Sequence, residues 1–323
     1  MLLNITLFIL GFIFLIKGAD FLVDGSSALA KKWKISSLVI GLTIVSIGTS
    51  MPELVVNIMA GMKNVPEIAI GNVLGSNIVN ILLILGLASI IFPLKLTKGT
   101  VWKELPFSVL AVVIVWFLSN DYLIEGSVFS GLSRSDGFVL MLFFVFFLFY
   151  IFHLSRRTSK DSCCQNSVSP VVFSSRKAFF YIFIGLVGLV AGAHWVVNGA
   201  SVIAVAFGAS TSFISLTIVS IGTSLPEIAT SLIAAFKKES DIAVGNIVGS
   251  NIFNLLWVLG LSAVIRPLSF SPIVNSDMLM VIVASLFLFL FMFIGRKHIL
   301  QRWQGFLFII IYIIYIAYLV LRG

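Results

Sequence analysis

The chain has 323 residues, of which 59% are hydrophobic and 11% are charged, and its mean hydropathy is +1.14. A soluble globular protein of this size carries roughly twice that charged fraction, so the composition excludes an ordinary soluble protein. The net charge of +8 is therefore not a nucleic-acid-binding signal, and we interpret it as a sign of membrane topology.

Apolar runs of about 20 residues recur along the chain, and each is long enough to cross a ~30 Å hydrocarbon core as a helix. We predict an all-α polytopic membrane protein with ten transmembrane helices, at residues 2–29, 36–62, 67–92, 101–119, 137–154, 178–205, 211–236, 241–264, 275–295 and 303–321. The first run lacks a basic N-terminal region, so we interpret it as a span and not as a cleavable signal peptide.

A hydrophilic stretch, residues 155–176, separates the fifth and sixth predicted helices and is interpreted as a cytoplasmic linker loop. It divides the chain into a first five-helix half, residues 1–154, and a second five-helix half, residues 177–323. Both cysteines, Cys163 and Cys164, lie in this loop. We expect free thiols there and no metal site.

The distribution of Lys and Arg agrees with ten spans. If the N-terminus lies outside, the cytoplasmic loops hold 16 of these residues and the outer loops hold 4. Cytoplasmic loops carry such an excess in most membrane proteins. We therefore predict a multi-pass protein of the plasma membrane, or of the inner membrane in a Gram-negative cell, with both termini outside.

The two halves repeat each other. Residues 18–86 align without a gap with residues 192–260, at a constant offset of 174, and we place the two repeats at about 36–92 and 211–264. Because each half has an odd number of predicted spans, the second copy enters the membrane from the opposite side. Inverted repeats are typical of secondary transporters, whose sites lie near the midplane where the repeats meet. A duplication kept only for packing is the alternative.

The first repeated motif is L-T-I-V-S-I-G-T-S-x-P-E, at residues 42–53 and 216–227. Its glutamates, Glu53 and Glu227, fall near the middle of predicted spans, where an ionisable group costs roughly 3 kcal/mol on insertion scales and indicates function. Pro52 and Pro226 should break each helix just before the glutamate, because proline has no N–H and clashes with the carbonyl four residues back. The adjacent hydroxyls are candidate ligands, with helix packing as the alternative: Thr49, Ser50, Thr223 and Ser224.

The second repeated motif is G-N-x-x-G-S-N-x-x-N, at residues 71–80 and 245–254. Residues four apart share a helix face, and on that face we predict further oxygen ligands: Ser76, Asn80, Ser250 and Asn254. Four other asparagines either bind or hold helix ends together: Asn72, Asn77, Asn246 and Asn251. The glycines let another helix approach closely and are interpreted as packing positions: Gly71, Gly75, Gly245 and Gly249.

All of these candidate ligands are oxygen atoms, and none belongs to Cys or His. This disfavours zinc or copper and favours hard cations such as Na⁺ and Ca²⁺. No Lys, Arg or His occurs mid-span in the four repeated helices that carry the motifs, so a bound cation or a proton has to neutralise the two acids. A site that accepts one divalent ion and monovalent ions in turn can act as an exchanger.

The paired motifs on inverted five-helix halves resemble the α-repeats of the sodium/calcium exchanger family, within the calcium/cation antiporters, over nearly the whole chain. The resemblance implies ten helices and alternating access by sliding of the first and sixth helices. It implies Na⁺ and Ca²⁺ as transported ions in a lipid bilayer, with no cofactor, nucleic acid or obligate protein partner. It also implies a central site in which the carbonyls of Ser46 and Ser220 join the ten side chains proposed above as ligands.

Two features qualify the resemblance. The 155–176 loop has no room for a large regulatory calcium-binding domain, so the chain resembles the compact prokaryotic members. Some relatives, including potassium-dependent ones, carry Asp where this chain has Asn254. We therefore expect a site with two carboxylates, which disfavours potassium dependence and leaves the number of ions per cycle open. Asp20 is either a second functional acid of the first span or a polar contact near its cytoplasmic end.

We therefore expect a Na⁺/Ca²⁺ antiporter and not an enzyme. An H⁺/Ca²⁺ exchanger with the glutamates as proton carriers is the main alternative, although relatives of that kind carry a different acidic motif. A channel, or a transporter for another divalent ion, is a second. An intramembrane hydrolase with Ser50 or Ser224 as nucleophile is disfavoured, because no repeated His or Lys stands near to act as a base.

Overall fold

The computed structural model describes residues 2–63, 65–120, 130–161, 174–206, 220–271 and 273–322. This part of the chain is almost entirely helical. Its helices are α1 (Leu2–Trp33), α2 (Ser37–Thr49 and Met51–Lys63), α3 (Pro66–Ile91), α4 (Thr100–Ser119), α5 (Arg134–Asp161), α6 (Ser175–Ala206), α7 (Ser220–Thr223 and Leu225–Phe236), α8 (Ser240–Ile265), α9 (Val274–Phe291) and α10 (Arg302–Arg322).

Each predicted helix has a counterpart, and most ends differ by a few residues. Helices α5 and α6 reach into the predicted linker, to Asp161 and from Ser175, and the predicted start of the seventh helix, 211–219, lies outside the described residues. Among the described residues, eight helices are long and apolar enough to cross a membrane, α2 is a bent pair that could be a ninth, and Leu225–Phe236 is shorter. An all-helical polytopic membrane fold is confirmed, while ten spans stay a prediction.

Two short antiparallel strand pairs join loops of the first half to loops of the second. Strand β1 (Leu94–Lys95), after α3, pairs with β4 (Ile299–Leu300), before α10. Strand β2 (Gly131–Leu132), before α5, pairs with β3 (Leu268–Ser269), after α8. The α3–α4 and α9–α10 loops therefore lie together, and so do the α4–α5 and α8–α9 loops.

Helices α1 and α6 pack closely because glycines line their contact. A Cβ atom on Gly18 would lie 2.9 Å from the carbonyl oxygen of Gly185, and one on Gly192 would lie 2.7 Å from that of Gly11. Real side chains do not fit at these distances, so only glycine allows the two backbones to approach this closely. Gly11 and Gly185, like Gly18 and Gly192, are related by the offset of 174, so both repeats build the contact in the same way.

Helices α3 and α8, which carry the second motif, lie at the centre of the bundle. In an 18-residue apolar stretch of each, 72% and 83% of the residues are buried, compared with 28–39% in the other candidate spans. Each widens into a π-helical stretch, Val79–Leu85 in α3 and Phe253–Val258 in α8. The two stretches begin at positions related by the offset of 174, and such π segments are frequent at functional sites.

The first motif breaks its helices where the prolines predict. Helix α2 bends by 45° at Ser50, whose φ and ψ are −86° and 12°, and α7 has the same irregular conformation at Ser224, with φ −84° and ψ 3°. Pro52 and Pro226 are each the second residue of the following helix. The break before each glutamate is therefore confirmed.

The α1–α6 contact gives a stability prediction. A Cβ atom on Gly185 would lie 2.7 Å from the amide nitrogen of Leu22 and 2.8 Å from the carbonyl oxygen of Gly18. Gly185→Ala should therefore lower the thermal unfolding midpoint of the detergent-solubilised protein, since overpacking costs about 1–3 kcal/mol. Gly61→Ala is the matched control, because its Cβ would meet Ile265 at an ordinary 3.6 Å and alanine favours a helix. Equal midpoints for the two variants would contradict the close contact.

Candidate cation site

The two repeated glutamates are fully buried, with 0% exposure each. Each lies in the first turn of the helix that follows the break, where the partial positive charge of a helix N-terminus favours an anion. Each also accepts a hydrogen bond from the serine at the break of the other half. Ser50 Oγ donates to Glu227 Oε1 at 2.6 Å, and Ser224 Oγ donates to Glu53 Oε1 at 3.3 Å. The breaks therefore link the two halves at the carboxylates.

Serines of the central helices complete this arrangement. Ser76 Oγ lies 3.5 Å from Glu53 Oε1, and Ser250 Oγ lies 3.5 Å from Glu227 Oε1, each at the long limit of a hydrogen bond. In both glutamates the described bonds fall on Oε1, and Oε2 is buried without a hydrogen-bond partner. A buried unpaired carboxylate oxygen is energetically costly, and a bound hard cation would satisfy it.

The threonines of the first motif bond to asparagines of the second motif in the opposite half. Thr49 Oγ1 donates to Asn246 Oδ1 at 3.0 Å, and Thr223 Oγ1 donates to Asn72 Oδ1 at 3.3 Å. Asn72 Nδ2 in turn donates to the backbone carbonyl of Glu53 at 3.3 Å. Asn72 and Asn246 therefore hold the broken helices against the central ones, which supports the structural interpretation of these two asparagines.

Asn57 was missed in the sequence analysis. It is fully buried, its Oδ1 accepts a 2.7 Å hydrogen bond from Asn72 Nδ2, and its Nδ2 donates to Ser262 Oγ at 3.2 Å. Its position could have been found from sequence, because it lies four residues after Glu53 and its repeat counterpart, Ser231, is also polar. Ser231 makes the equivalent contact, accepting from Asn246 Nδ2 at 2.9 Å.

The last two predicted side-chain ligands, Asn80 and Asn254, are 1% and 0% exposed. Each lies one helical turn beyond the serine of its own motif. Asn80 Nδ2 donates to Asn251 Oδ1 at 3.0 Å, but Asn80 Oδ1 has no partner. Neither amide atom of Asn254 has a partner. Two buried amide oxygens are therefore available in addition to the two carboxylate oxygens.

Of the two predicted carbonyl ligands, only that of Ser46 has described contacts with other groups of the site. The Ser46 carbonyl lies among the other groups, because it accepts from Thr49 Oγ1 at 3.2 Å and is 3.5 Å from Ser250 Oγ. Ser220 is the first described residue of α7, and its carbonyl role stays a prediction. Among the described residues no three His, Cys, Asp or Glu side chains form a cluster, so the described carboxylates of this site number two.

The packing role of the motif glycines holds in the second half. A Cβ atom on Gly245 would lie 2.9 Å from the carbonyl oxygen of Leu38, and one on Gly249 would lie 2.7 Å from that of Leu42. These contacts seat α2 against α8. The repeat counterparts of Leu38 and Leu42 lie outside the described part of the chain, so the packing role of Gly71 and Gly75 stays a prediction.

Asp20 belongs to a separate cluster. Lys237 Nζ lies 2.5 Å from Asp20 Oδ1 and 2.7 Å from Asp24 Oδ1, and these side chains are 27–46% exposed. The ion pairs join α1 to the C-terminal end of α7. They support the interpretation of Asp20 as a polar contact near the end of the first span, away from the buried glutamates.

The fold and the site together define a polytopic helical membrane protein with two buried carboxylates in an all-oxygen environment, an arrangement suited to hard cations. The family model described as "Sodium/calcium exchanger protein" matches residues 3–153 and 177–321. The chain belongs to this family. It is a family of membrane transporters, which agrees with the expectation that the protein is not an enzyme.

Individual relatives align with most of this chain. Inner membrane protein YrbG of Escherichia coli is 39% identical over 281 residues, 85% of this chain and 84% of that protein. Sodium/calcium exchanger MaX1 of Methanosarcina acetivorans is 31% identical over 346 aligned positions, 98% and 97% of the two chains. The structure of the sodium-calcium exchanger NCX_Mj, soaked with 2.5 mM Na⁺ and 0.1 mM Ca²⁺, matches with a TM-score of 0.83 at 35% identity over 98% of both chains. The resemblance to compact prokaryotic members is confirmed.

The unpaired carboxylate oxygens give a binding prediction. Glu227→Gln should raise the thermal unfolding midpoint of the protein in the absence of cations, because it removes a buried, uncompensated charge. The same variant should lose the increase in midpoint that Ca²⁺ gives to the unmodified protein, since a ligand stabilises only the state that binds it.

Asp20→Asn is the matched control for this measurement, because it also removes one acid but from the exposed ion-pair cluster. Its Ca²⁺-dependent increase in midpoint should be close to that of the unmodified protein. Loss of the increase in Asp20→Asn, with retention in Glu227→Gln, would contradict the assignment of Glu227 as a cation ligand.

Proposed function

We propose that the protein is a secondary active antiporter that exchanges Na⁺ for Ca²⁺ by alternating access, with Glu53 and Glu227 as shared cation ligands. One observation carries the proposal: two fully buried carboxylates each keep one oxygen without a partner. Membership of the sodium/calcium exchanger family supports Na⁺ and Ca²⁺ as the transported ions. So do the name of the relative MaX1 and the Na⁺ and Ca²⁺ soak of the NCX_Mj structure.

The proposed ligand set has enough oxygens for either ion. Ca²⁺ takes six to eight oxygen ligands and accepts carboxylates, carbonyls and amide oxygens in a flexible geometry. The two glutamates provide the charge, and hydroxyl, amide and carbonyl groups provide the remaining oxygens. The full proposed set is Ser46, Thr49, Ser50, Glu53, Ser76, Asn80, Ser220, Thr223, Ser224, Glu227, Ser250 and Asn254.

Coupling follows from the charge of this set. An empty site carries two carboxylates in a water-poor interior, and enclosing them without a cation is costly. One Ca²⁺, or two Na⁺, neutralises both carboxylates and allows the site to be closed off from both faces. Because the same oxygens serve both ions, occupancy by one excludes the other. The loaded site can therefore change its access from one membrane face to the other, while the empty site cannot. This requirement couples the Na⁺ and Ca²⁺ fluxes.

We also propose ten spans in two inverted halves, with both termini outside. The strand pairs support this arrangement: β1 and β4 lie in loops that the Lys and Arg distribution places inside, and β2 and β3 lie in loops that it places outside. The ion pair between Arg322 and Asp277 likewise joins two positions on the proposed outer side. One missing span between the members of a pair would put its strands on opposite faces.

The transport prediction is tested by Ca²⁺ uptake into proteoliposomes at a clamped membrane potential. An outward Na⁺ gradient should drive uptake, and an outward H⁺ gradient should not. Glu53→Gln and Glu227→Gln should each reduce Na⁺-driven uptake at least 100-fold, because each removes a charge that a cation needs. Glu67→Gln, at an exposed glutamate of α3, should keep the normal rate and is the matched control.

The other outcomes have definite meanings. Uptake driven by H⁺ alone would make the same glutamates proton carriers, as in an H⁺/Ca²⁺ exchanger. Uptake driven by neither gradient would indicate another divalent ion. A normal rate in either buried-glutamate variant would contradict the shared-ligand mechanism.

The proposed orientation can be tested with the natural cysteines, because the chain has only Cys163 and Cys164, both in the 155–176 loop. A membrane-impermeant maleimide should label the protein in inside-out membrane vesicles and leave it unlabelled in right-side-out vesicles. The Cys163→Ser, Cys164→Ser double variant gives the background. Labelling only in right-side-out vesicles would reverse the orientation.

A further inference from the structure

Four asparagines of the second motif lie on the central helices α3 and α8: Asn77, Asn80, Asn251 and Asn254. All four are buried, with exposures of 0–3%. The offset of 174 relates Asn77 to Asn251 and Asn80 to Asn254, so each half contributes the same two residues. The two possible bridges between the halves, Asn80 to Asn251 and Asn254 to Asn77, are therefore chemically identical.

The two bridges are nevertheless in different states. Asn80 Nδ2 donates to Asn251 Oδ1 at 3.0 Å. The equivalent bond between Asn254 and Asn77 is not made, and all four of their amide nitrogen and oxygen atoms are buried without a hydrogen-bond partner. All four residues are asparagines, so the two pairs differ in how their side chains are placed and not in residue type.

The bridge has a chemical consequence for the cation site. An asparagine side chain carries an acceptor oxygen and a donor NH₂ group that exchange places by rotation, and a cation binds only the oxygen. Asn251 Oδ1 accepts a hydrogen bond from Asn80 Nδ2. This bond fixes the orientation of the Asn80 amide and leaves Asn80 Oδ1 buried and unpartnered. Asn254 has no such partner to select its orientation.

We propose that Asn251 and Asn77 are positioning residues that act alternately. Asn251 orients Asn80 as a ligand in the conformation described here, and Asn77 orients Asn254 in the conformation that opens to the opposite membrane face. This inference rests on the proposed alternating-access function and identifies which amide ligand is set at each face.

The inverted repeat supplies the reason for the alternation. Exchanging the conformations of two inverted halves converts a state that faces one side into a state that faces the other. In the exchanged state the bond from Asn254 to Asn77 forms and the bond from Asn80 to Asn251 breaks. Each state makes one bridge from the same pair of residue types, so the four asparagines act as a two-position element.

The test compares Asn251→Leu with Asn77→Leu, which remove the amide and keep most of the volume. Na⁺-dependent Ca²⁺ flux is measured in right-side-out and inside-out membrane vesicles, so that the KM for Ca²⁺ is obtained at each face. Asn251→Leu should raise KM at one face about fivefold, the loss expected for one neutral hydrogen bond, with less than a twofold change at the other face and in maximal rate. Asn77→Leu should have the same effect at the opposite face.

A merely structural role for the two residues would change both faces together. Equal increases in KM at both faces, increases at the same face in both variants, or no change would each overturn the inference. If the leucine variants do not reach the membrane, the alanine variants carry the same comparison, because they remove the same amides without adding bulk. Absence of Na⁺-dependent Ca²⁺ flux in the unmodified protein would instead overturn the proposed function.

Discussion

The architecture depends on keeping two carboxylates in the protein interior, where the described residues include no buried Lys, Arg or His. Glu53 and Glu227 are fully buried, and the hydrogen bonds that reach them come from neutral serine hydroxyls. Hydroxyls solvate a carboxylate without neutralising it, so the site retains a strong demand for positive charge. The helix breaks, the glycine contacts and the central position of α3 and α8 all serve to place those two groups together.

The repeat makes this possible with little sequence. One broken helix and one small-residue helix, each present in both halves, generate a site in which each half donates hydroxyls to the carboxylate of the other. The same bonds, Ser50 to Glu227 and Ser224 to Glu53, also hold the halves together. The affinity for a cation that binds both glutamates therefore depends on the relative position of the halves. Alternating access needs such a coupling between ion binding and conformation.

Much of this was predictable, because it depends on local chemistry. Proline has no N–H and clashes with the carbonyl four residues back, so the breaks at Ser50 and Ser224 followed from Pro52 and Pro226. Contacts between distant segments did not follow, since they depend on how the helices are arranged in space. The ion pair between Asp20 and Lys237 joins residues 217 positions apart. The bonds of Asn57 to Asn72 and Ser262 likewise join separate helices. The unequal amide bridges could not be predicted, because all four residues of the two bridges are asparagines.

We propose that one pair of carboxylates binds both ions, and competition between Na⁺ and Ca²⁺ at equilibrium tests this proposal. Ca²⁺ binding to the purified, detergent-solubilised protein would be measured at increasing Na⁺ concentrations and constant ionic strength. If both ions share the carboxylates, Na⁺ will raise the apparent Kd for Ca²⁺ progressively while the number of Ca²⁺ ions bound at saturation stays constant. An apparent Kd that does not change with Na⁺ would mean that the two ions bind at separate places, and would contradict the account.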